Sequence, residues 1–451
     1  MENQQEKSSL IDWVRYSIGA KLITVAFLSL LLLIPSSLVT DLIHERQGRQ
    51  EEVKKEVANS WAGNQYIGGP VLVIPYKTWM EDRDSKGNVS TKEVIQQVFL
   101  LPDELHVEAN TEPKVLHRGI FDAVVYHATI NVKGAFAALD LKKVGVDPHF
   151  LQWEKAQLIV GVSDVKGLQK IPTLNLSGVT QEMESDFSGL NVFENSLSTN
   201  IDLSENQSTR KTFSFALNLR GSEGLYFMPL GKNTHIAIAG KWANPSFAGA
   251  YLPEKRAIDD STFQAVWNVP HFNRPYPQQW LGADGTKIRN SASAYYCGSS
   301  FLLSVDQYQK TMRSAKYAML IVMLTFVSLL FTELITKRHV NIIQYVLIGG
   351  AMVVYYSLLL SFSEQVGFNW AYLIASAATI ILVGIFIFSI LKNKGTAALL
   401  AGILAVFYLF IYVIIQLQEL ALLVGSVGLF ITIALLMYTS SKVHWEKRIK
   451  T

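Results

Sequence analysis

The groups best placed to do chemistry in this 451-residue chain are ionisable and amide side chains in, or at the ends of, long apolar runs. A charge placed in a membrane span is costly, so it marks a paired or functional position. Glu333 lies near the end of the apolar run 317–335, about a turn before Lys337 and Arg338. Two chemistries suit it: an interfacial ion pair with those cations, or a relay for a proton or substrate. Glu364 and Gln365 close a second run, and Gln416, Gln418 and Glu419 fill the turn between the last two. Lys310, Arg313 and Lys316 lead into the run that starts at 317. The expectation is that Arg313 or Lys316 meets Glu364 or Glu419, fastening the polar part of the chain to the apolar part. Solvated loop carboxylates are the alternative. Arg118 opens a strand-like run and reads as a structural ion-pair partner or, less simply, as a substrate contact.

Other routes to catalysis are missing. The chain has no P-loop, no G-x-G-x-x-G after a strand, no G-x-S-x-G and no H-E-x-x-H. Its nine histidines stand mostly singly, with His117 and His127 the closest pair. The single cysteine, Cys297, rules out an intrachain disulfide and a multi-cysteine metal site, and reads as a small buried hydrophobe. No catalytic residue, metal ligand or cofactor is expected. The net charge of +3, without a long basic run interleaved with aromatics, excludes nucleic acid as an expected partner.

The elements that position these residues are segregated along the chain. Spanning about 30 Å of hydrocarbon takes about 20 apolar residues. Residues 22–39 form the first such run, and 317–335, 340–360, 371–391, 397–415 and 419–438 form five more. Short links among the last five require antiparallel neighbours and hence one bundle, 316–440. The first run is longer than a signal-peptide core and lacks an A-x-A site, so it reads as an uncleaved anchor. Before it, residues 1–21 form a cytoplasmic tail with a candidate interfacial helix on Leu10, Val14 and Ile18. Lysine and arginine fall on one side throughout: Lys7, Arg15 and Lys21; Lys337 and Arg338; Lys392 and Lys394; and, in the tail 441–451, Lys442, Lys447, Arg448 and Lys450. By the positive-inside rule both termini are cytoplasmic and 40–315 lies outside. Lys310, Arg313 and Lys316 oppose this assignment, but they flank a long translocated domain, where charge weighs less.

Residues 41–58 read as a helical stalk. Beyond them, short alternating runs bounded by turn residues appear at 71–76, 94–101, 121–132, 156–162, 212–219, 234–242, 263–269 and 301–305. In 212–219, Phe213, Phe215, Leu217 and Leu219 share one face, the period of a half-buried strand. The expected class is therefore a membrane helical bundle plus an all-β, sandwich-like outer domain, α+β overall. Residues 84–88 read as a hairpin tip, and 185–206 as a mobile loop or a boundary between two β subdomains. Ala397, Ala401 and Ala405, with Ala421 and Gly425, form small-residue ridges suited to close helix packing, within one chain or between subunits.

Several segments carry a family resemblance: GGPVLVIPY (68–76), HRGIFDAVVY (117–126), GLYFMPLGKNTHIAIAGKWANPSFAGAYLP (224–253) and FQAVWNV (263–269). VDQYQKTMRSAKYAML (305–320), QYVLIGGAMVVYYSLLLSFSEQVGFNWAYLIA (344–375) and ELALLVGSVGLF (419–430) continue it. Nearly end to end, and in segment order, the chain resembles the CreD inner-membrane proteins. The family pattern has histidine where this chain has Gln365, and Glu-Asp where it has Gln418-Glu419. The resemblance implies an inner-membrane protein of cell-envelope integrity, tied to a two-component response to cell-wall stress, and carries no catalytic residues with it. Two functional readings follow. In the first, a non-enzymatic envelope factor binds a protein, lipid or wall component through its periplasmic β domain. In the second, a transporter or lipid-handling protein uses the bundle and the outer carboxylates, with membrane lipids as partners.

Overall fold

The computed structural model describes residues 18–83, 89–204, 209–283, 285–286, 294–303, 307–336, 339–417 and 420–441. The chain divides into two compact units. One comprises Met1–Gln50 with Val305–Thr451, and the other Glu51–Ser304.

The first unit is helical. Helices α1 (Ile18–Leu31) and α2 (Leu33–Trp61) follow each other through Leu32, whose N–H donates to Leu28 O and whose carbonyl accepts from Ser36. The interruption has a local cause. Pro35 has no N–H, and its ring collides with the carbonyl four residues back, at Leu31, which is where α1 ends. Pro35 then occupies the first turn of α2, where proline is tolerated. The remaining helices are α3 (Gln307–Lys316), α4 (Ala318–Thr336), α5 (Ile342–Val366), α6 (Phe368–Leu391), α7 (Lys394–Gln416) and α8 (Ala421–Ser441). Four of these, α4 to α7, are long and apolar enough to cross a membrane, as is the combined stretch Gly19–Trp61; α8 contributes the shorter apolar helix Leu422–Leu435. Gly367 alone links α5 to α6 and caps both, and two residues link α6 to α7. Such links force the antiparallel order expected from the sequence. Glycines set the closest approaches. A Cβ on Gly349 would lie 2.2 Å from Leu32 Cδ1 and 2.9 Å from Phe326 Cζ, and the Phe410 ring fills the space a Cβ on Gly428 would need.

The second unit has two mixed sheets on one hydrophobic core. In the first sheet the long strand Gln65–Arg83 pairs antiparallel with Val89–Leu100 and Ala156–Val162, and parallel with Gly224–Phe227. In the second, Glu104–Arg118 pairs antiparallel with Phe121–Phe136 and parallel with Asn233–Gly240. Each parallel pair needs a crossover connection, which an all-antiparallel sandwich does not contain. Lys211–Ser222 buries Phe213, Phe215, Leu217 and Leu219 and exposes Thr212, Ser214 and Ala216, as its alternation predicts. The last expected strand is displaced. It runs Cys297–Phe301 rather than 301–305, because Cys297, Gly298 and Ser299 are all buried and give no alternation to read. The expected hairpin tip 84–88 lies outside the described residues, although its arms pair from Leu72↔Leu100 to Arg83↔Val89. The stretch expected as a loop or boundary supplies the edge strand Glu184–Ser185 and its neighbour Ser196–Ile201 to the first sheet, within the single unit Glu51–Ser304.

Candidate functional site

Glu333 stands on the buried stripe of α4 that includes Val322, Phe326 and Leu329, at the period of one helix face. Its carboxylate is 3% exposed and is ion-paired with Lys21 of α1, with Lys21 itself 17% exposed. Tyr345, in the first turn of α5, donates its hydroxyl to Glu333 Oε2 at 3.3 Å. His339 Nδ1 lies 3.4 Å from Oε1 and 3.2 Å from Lys21 Nζ. The cation expected for Glu333 was Lys337 or Arg338, and both lie outside the described residues; the one seen comes from the N-terminal helix. The signal for it was faint. Lys21 is the last charge before an apolar run on the same side as Glu333, and only the fold brings the two together. A buried carboxylate satisfied by an ammonium and a phenol holds α1, α4 and α5 together as a neutral unit.

Glu364 closes α5 at the opposite helix ends. It accepts from the Tyr308 hydroxyl of α3 at 3.0 Å, and Arg46 Nε of α2 lies 3.9 Å away. Arg46 therefore holds the place expected of Arg313 or Lys316. Arg313 is half-buried and Lys316 exposed, and neither makes an ion pair among the described residues. Gln416 accepts from Lys310 Nζ at 3.0 Å and donates to Asn369 Oδ1 at 2.8 Å, tying α3, α6 and α7 together. Glu419, like Gln418, lies outside the described residues.

Between these ends the bundle interior is aromatic, which the sequence reading overlooked despite the adjacent Tyr355 and Tyr356. The Tyr355 ring packs on Tyr356 and Tyr408 at centroid distances of 4.8 and 4.6 Å. Tyr372 donates to the Tyr408 carbonyl at 2.7 Å, while the Tyr356 and Tyr408 hydroxyls have no hydrogen-bond partner among the described residues. A gap of about 10 Å³ lined by Thr325, Ser328 and Leu404 has the volume of one water probe.

In the β unit, Arg118 pairs with Glu56, near the end of α2, at 3.0 Å. One turn on, Trp61 lies between Lys114 and Arg220, 5.3 and 5.1 Å from its ring centroid, with His127 edge-on at 5.5 Å. These cation–π contacts fix the end of the stalk helix to its own sheet. Arg118 thus serves as a structural ion pair. Cys297 is fully buried, and burial pushes its thiol up to about 12. Burial, and then the neighbouring Tyr296 and Tyr226 hydroxyls, likewise push Tyr66 up to about 12. Neither group is poised as a nucleophile at neutral pH.

The surface feature of this unit with binding geometry is an edge. The hairpin Thr173–Leu176/Val179–Glu182 turns through Ser177 and Gly178, both at positive φ, as in a two-residue type I′ turn. Val179–Glu182 ends the second sheet. With Leu176 and Val179 as the closing hydrogen-bonded pair, Thr180 and Glu182 direct their backbone N–H and C=O groups outward. Beside this edge lies a groove of about 490 Å³, lined by Leu168, Ile171, Pro172, Met183 and Leu197 with Lys170 and Glu184. Ile171, Val179 and Phe187 are 68, 61 and 93% exposed. The other end of that sheet, Lys255–Ile258, is blunted by Lys255 and Arg256 and borders no such groove among the cavities described.

Comparison with known proteins bears on the whole chain. The sequence profile of the family described as "Inner membrane protein CreD" matches residues 17–446. A protein of that description from Escherichia coli (strain K12) is 28% identical over 418 residues, covering 92% of this chain and 91% of that protein. Among solved structures, a putative protease from Parabacteroides distasonis ATCC 8503 aligns over 64% of this chain and 59% of its own, at 6% identity. Its TM-score of 0.19 carries no argument for fold or activity.

Proposed function

The chain belongs to the CreD family of inner-membrane proteins, and on that premise we propose that it is a non-enzymatic envelope factor that receives an extended segment of an envelope protein on its β domain. The domain lies outside the cytoplasm in this reading, with both termini inside, which the lysine and arginine distribution of the short loops supports. The observation that carries the proposal is the free edge Val179–Glu182 with the groove beside it. An unpaired edge offers backbone donors and acceptors to an incoming strand, and a neighbouring pocket gives that strand side-chain specificity. A four-residue edge accepts one short segment and resists open-ended sheet growth.

Two observations weigh against catalysis or transport as the main activity. Glu333 is engaged by the Lys21 ammonium and the Tyr345 hydroxyl, which supports a structural role for it. The reactive-type side chains of the β unit, Cys297 and Tyr66, are held in their neutral forms.

The test is photo-crosslinking in intact envelopes with a photoreactive amino acid at Val179, followed by mass spectrometry of the adducts, with and without Thr180→Pro. Proline at 180 removes an outward N–H and leaves the hydrogen-bonded pairs of the hairpin intact. A discrete protein adduct at Val179 that Thr180→Pro reduces at least tenfold is the expected result. A crosslink pattern unchanged by Thr180→Pro, or confined to lipid, overturns the reading.

A further inference from the structure

A second groove lies on the helical unit, between α6 and α7. Its wall is formed by Ile381, Ile385 and Phe388, and its low side by Ala398 and Ala401, with Lys394 at one end; its volume is about 450 Å³. The depth comes from small residues. A Cβ placed on Gly384 would sit only 3.4 Å from Ala401 Cβ, so the helices approach closely at the floor while the large side chains stand up on one side. Ile381, Ile385 and Phe388 are 60, 64 and 40% exposed, and they lie on a helix apolar and long enough to span a bilayer. In a bilayer, hydrocarbon rather than water would fill the space between them.

The mouth of the groove is cationic. The link from α6 to α7 is only Lys392-Asn393, so Lys392 and Lys394 stand together where the groove ends. Both are exposed, and neither ammonium meets a carboxylate among the described residues. Asn393 takes the Gly395 and Thr396 amides on its own side chain, which leaves recognition of an anion here to the two lysines. From Ile381 to Phe388 the helix rises roughly 11 Å, most of the ~15 Å depth of one leaflet's hydrocarbon.

We propose that this groove is a binding site for one anionic phospholipid, with an acyl chain along Gly384 and Ala401 and the phosphate headgroup between Lys392 and Lys394. Apolar walls and a paired basic mouth match the two ends of such a lipid, and basic pockets between membrane helices bind anionic headgroups in this way. A second copy of the chain would bring a like-charged mouth onto this one, which disfavours a dimer through this face.

Native mass spectrometry of the full chain in detergent tests this. Dipalmitoyl phosphatidylglycerol and dipalmitoyl phosphatidylcholine are titrated separately into delipidated protein. The first lipid is expected to bind severalfold more tightly with the glycerol headgroup. Each of Lys392→Ala and Lys394→Ala is expected to weaken that lipid by roughly fivefold, with phosphatidylcholine unchanged. Ala398→Trp fills the groove and is expected to remove the tight site for both. Lys143→Ala, on the β unit, controls for charge loss alone and is expected to change nothing. Equal affinity for the two headgroups, a preference that survives the double lysine variant, or Ala398→Cys dimers crosslinking at low protein concentration would each overturn the proposal.

Discussion

The Lys21–Glu333 pair makes an unequal demand on its partners, and the inequality can be measured. Lys21→Met leaves a carboxylate that is 3% exposed with only Tyr345 and His339 to satisfy it. Removing one member of a buried pair costs about 3–5 kcal/mol, because the other charge stays buried and uncompensated. Glu333→Gln keeps an acceptor for Tyr345 and leaves an ammonium that is 17% exposed and free to move to water along its own stem. Its cost is about 1–2 kcal/mol. Lys21→Met with Glu333→Gln removes both charges and leaves an amide that still accepts from Tyr345, at a cost of about 1 kcal/mol. The coupling in the double-mutant cycle, the two singles less the double, is then about 3–6 kcal/mol. Reversible unfolding of the purified chain in mixed micelles reads all four proteins. Two results refute the reasoning: a double variant that loses the sum of the two singles, or a Glu333→Gln that costs more than Lys21→Met.

Two further outcomes follow from the β unit. Burial raises the Cys297 thiol from 9.0 to about 12, so the folded chain keeps it neutral where the unfolded chain ionises it. That contribution is intact below pH 9 and is lost as pH climbs from 9 towards about 12, at roughly 1.4 kcal/mol per pH unit. Alkaline unfolding curves of the native chain and Cys297→Ala should therefore converge across this window, and iodoacetamide at pH 8 should label Cys297 only once the domain unfolds. Arg274 is 7% exposed, meets no carboxylate among the described residues, and donates to Tyr276 O at 2.9 Å, Gln278 Oε1 at 2.5 Å and Gly231 O at 3.5 Å. Arg274→Lys cannot reproduce that fork and should lower urea stability by about 2–3 kcal/mol, with the change in midpoint and not in slope.

Legibility in the sequence depended on whether a residue's partner was local. The apolar runs were plain because hydrocarbon imposes a length on each span, and Lys211–Ser222 was plain because one face is wet and the other dry. Glu104–Arg118 escaped notice although it is a central strand. Its buried positions shrink from Leu105 and Val107 to Ala109 and Thr111, and Pro113 follows, so the apolar side of the alternation fades within two turns of the pleat. Cys297–Phe301 was misplaced for the opposite reason, since burial on both faces erases the period. The candidate residues divide in the same way. Glu333, Glu364 and Gln416 stood out by type, but their partners Lys21, Arg46 and Lys310 come from helices whose proximity no spacing encodes.

Those long-range partners bear on function through topology. Lys21 and Arg46 belong to the helices before the β unit, and Glu333 and Glu364 to helices after it. One pair lies at each end of the helical unit, so the N-terminal helices are fastened to the C-terminal bundle at two depths. A single pair would leave α1 and α2 free to pivot about one point; two pairs remove that freedom. The β unit is thus an insertion whose entering and leaving segments, Arg46 in α2 and Tyr308 in α3, converge on one carboxylate, Glu364. A transporter that rocks one half of a bundle against the other has to break contacts of this kind in each cycle. A protein that works without such rocking has no step that opens the pairs, and Lys21–Glu333 and Arg46–Glu364 can persist.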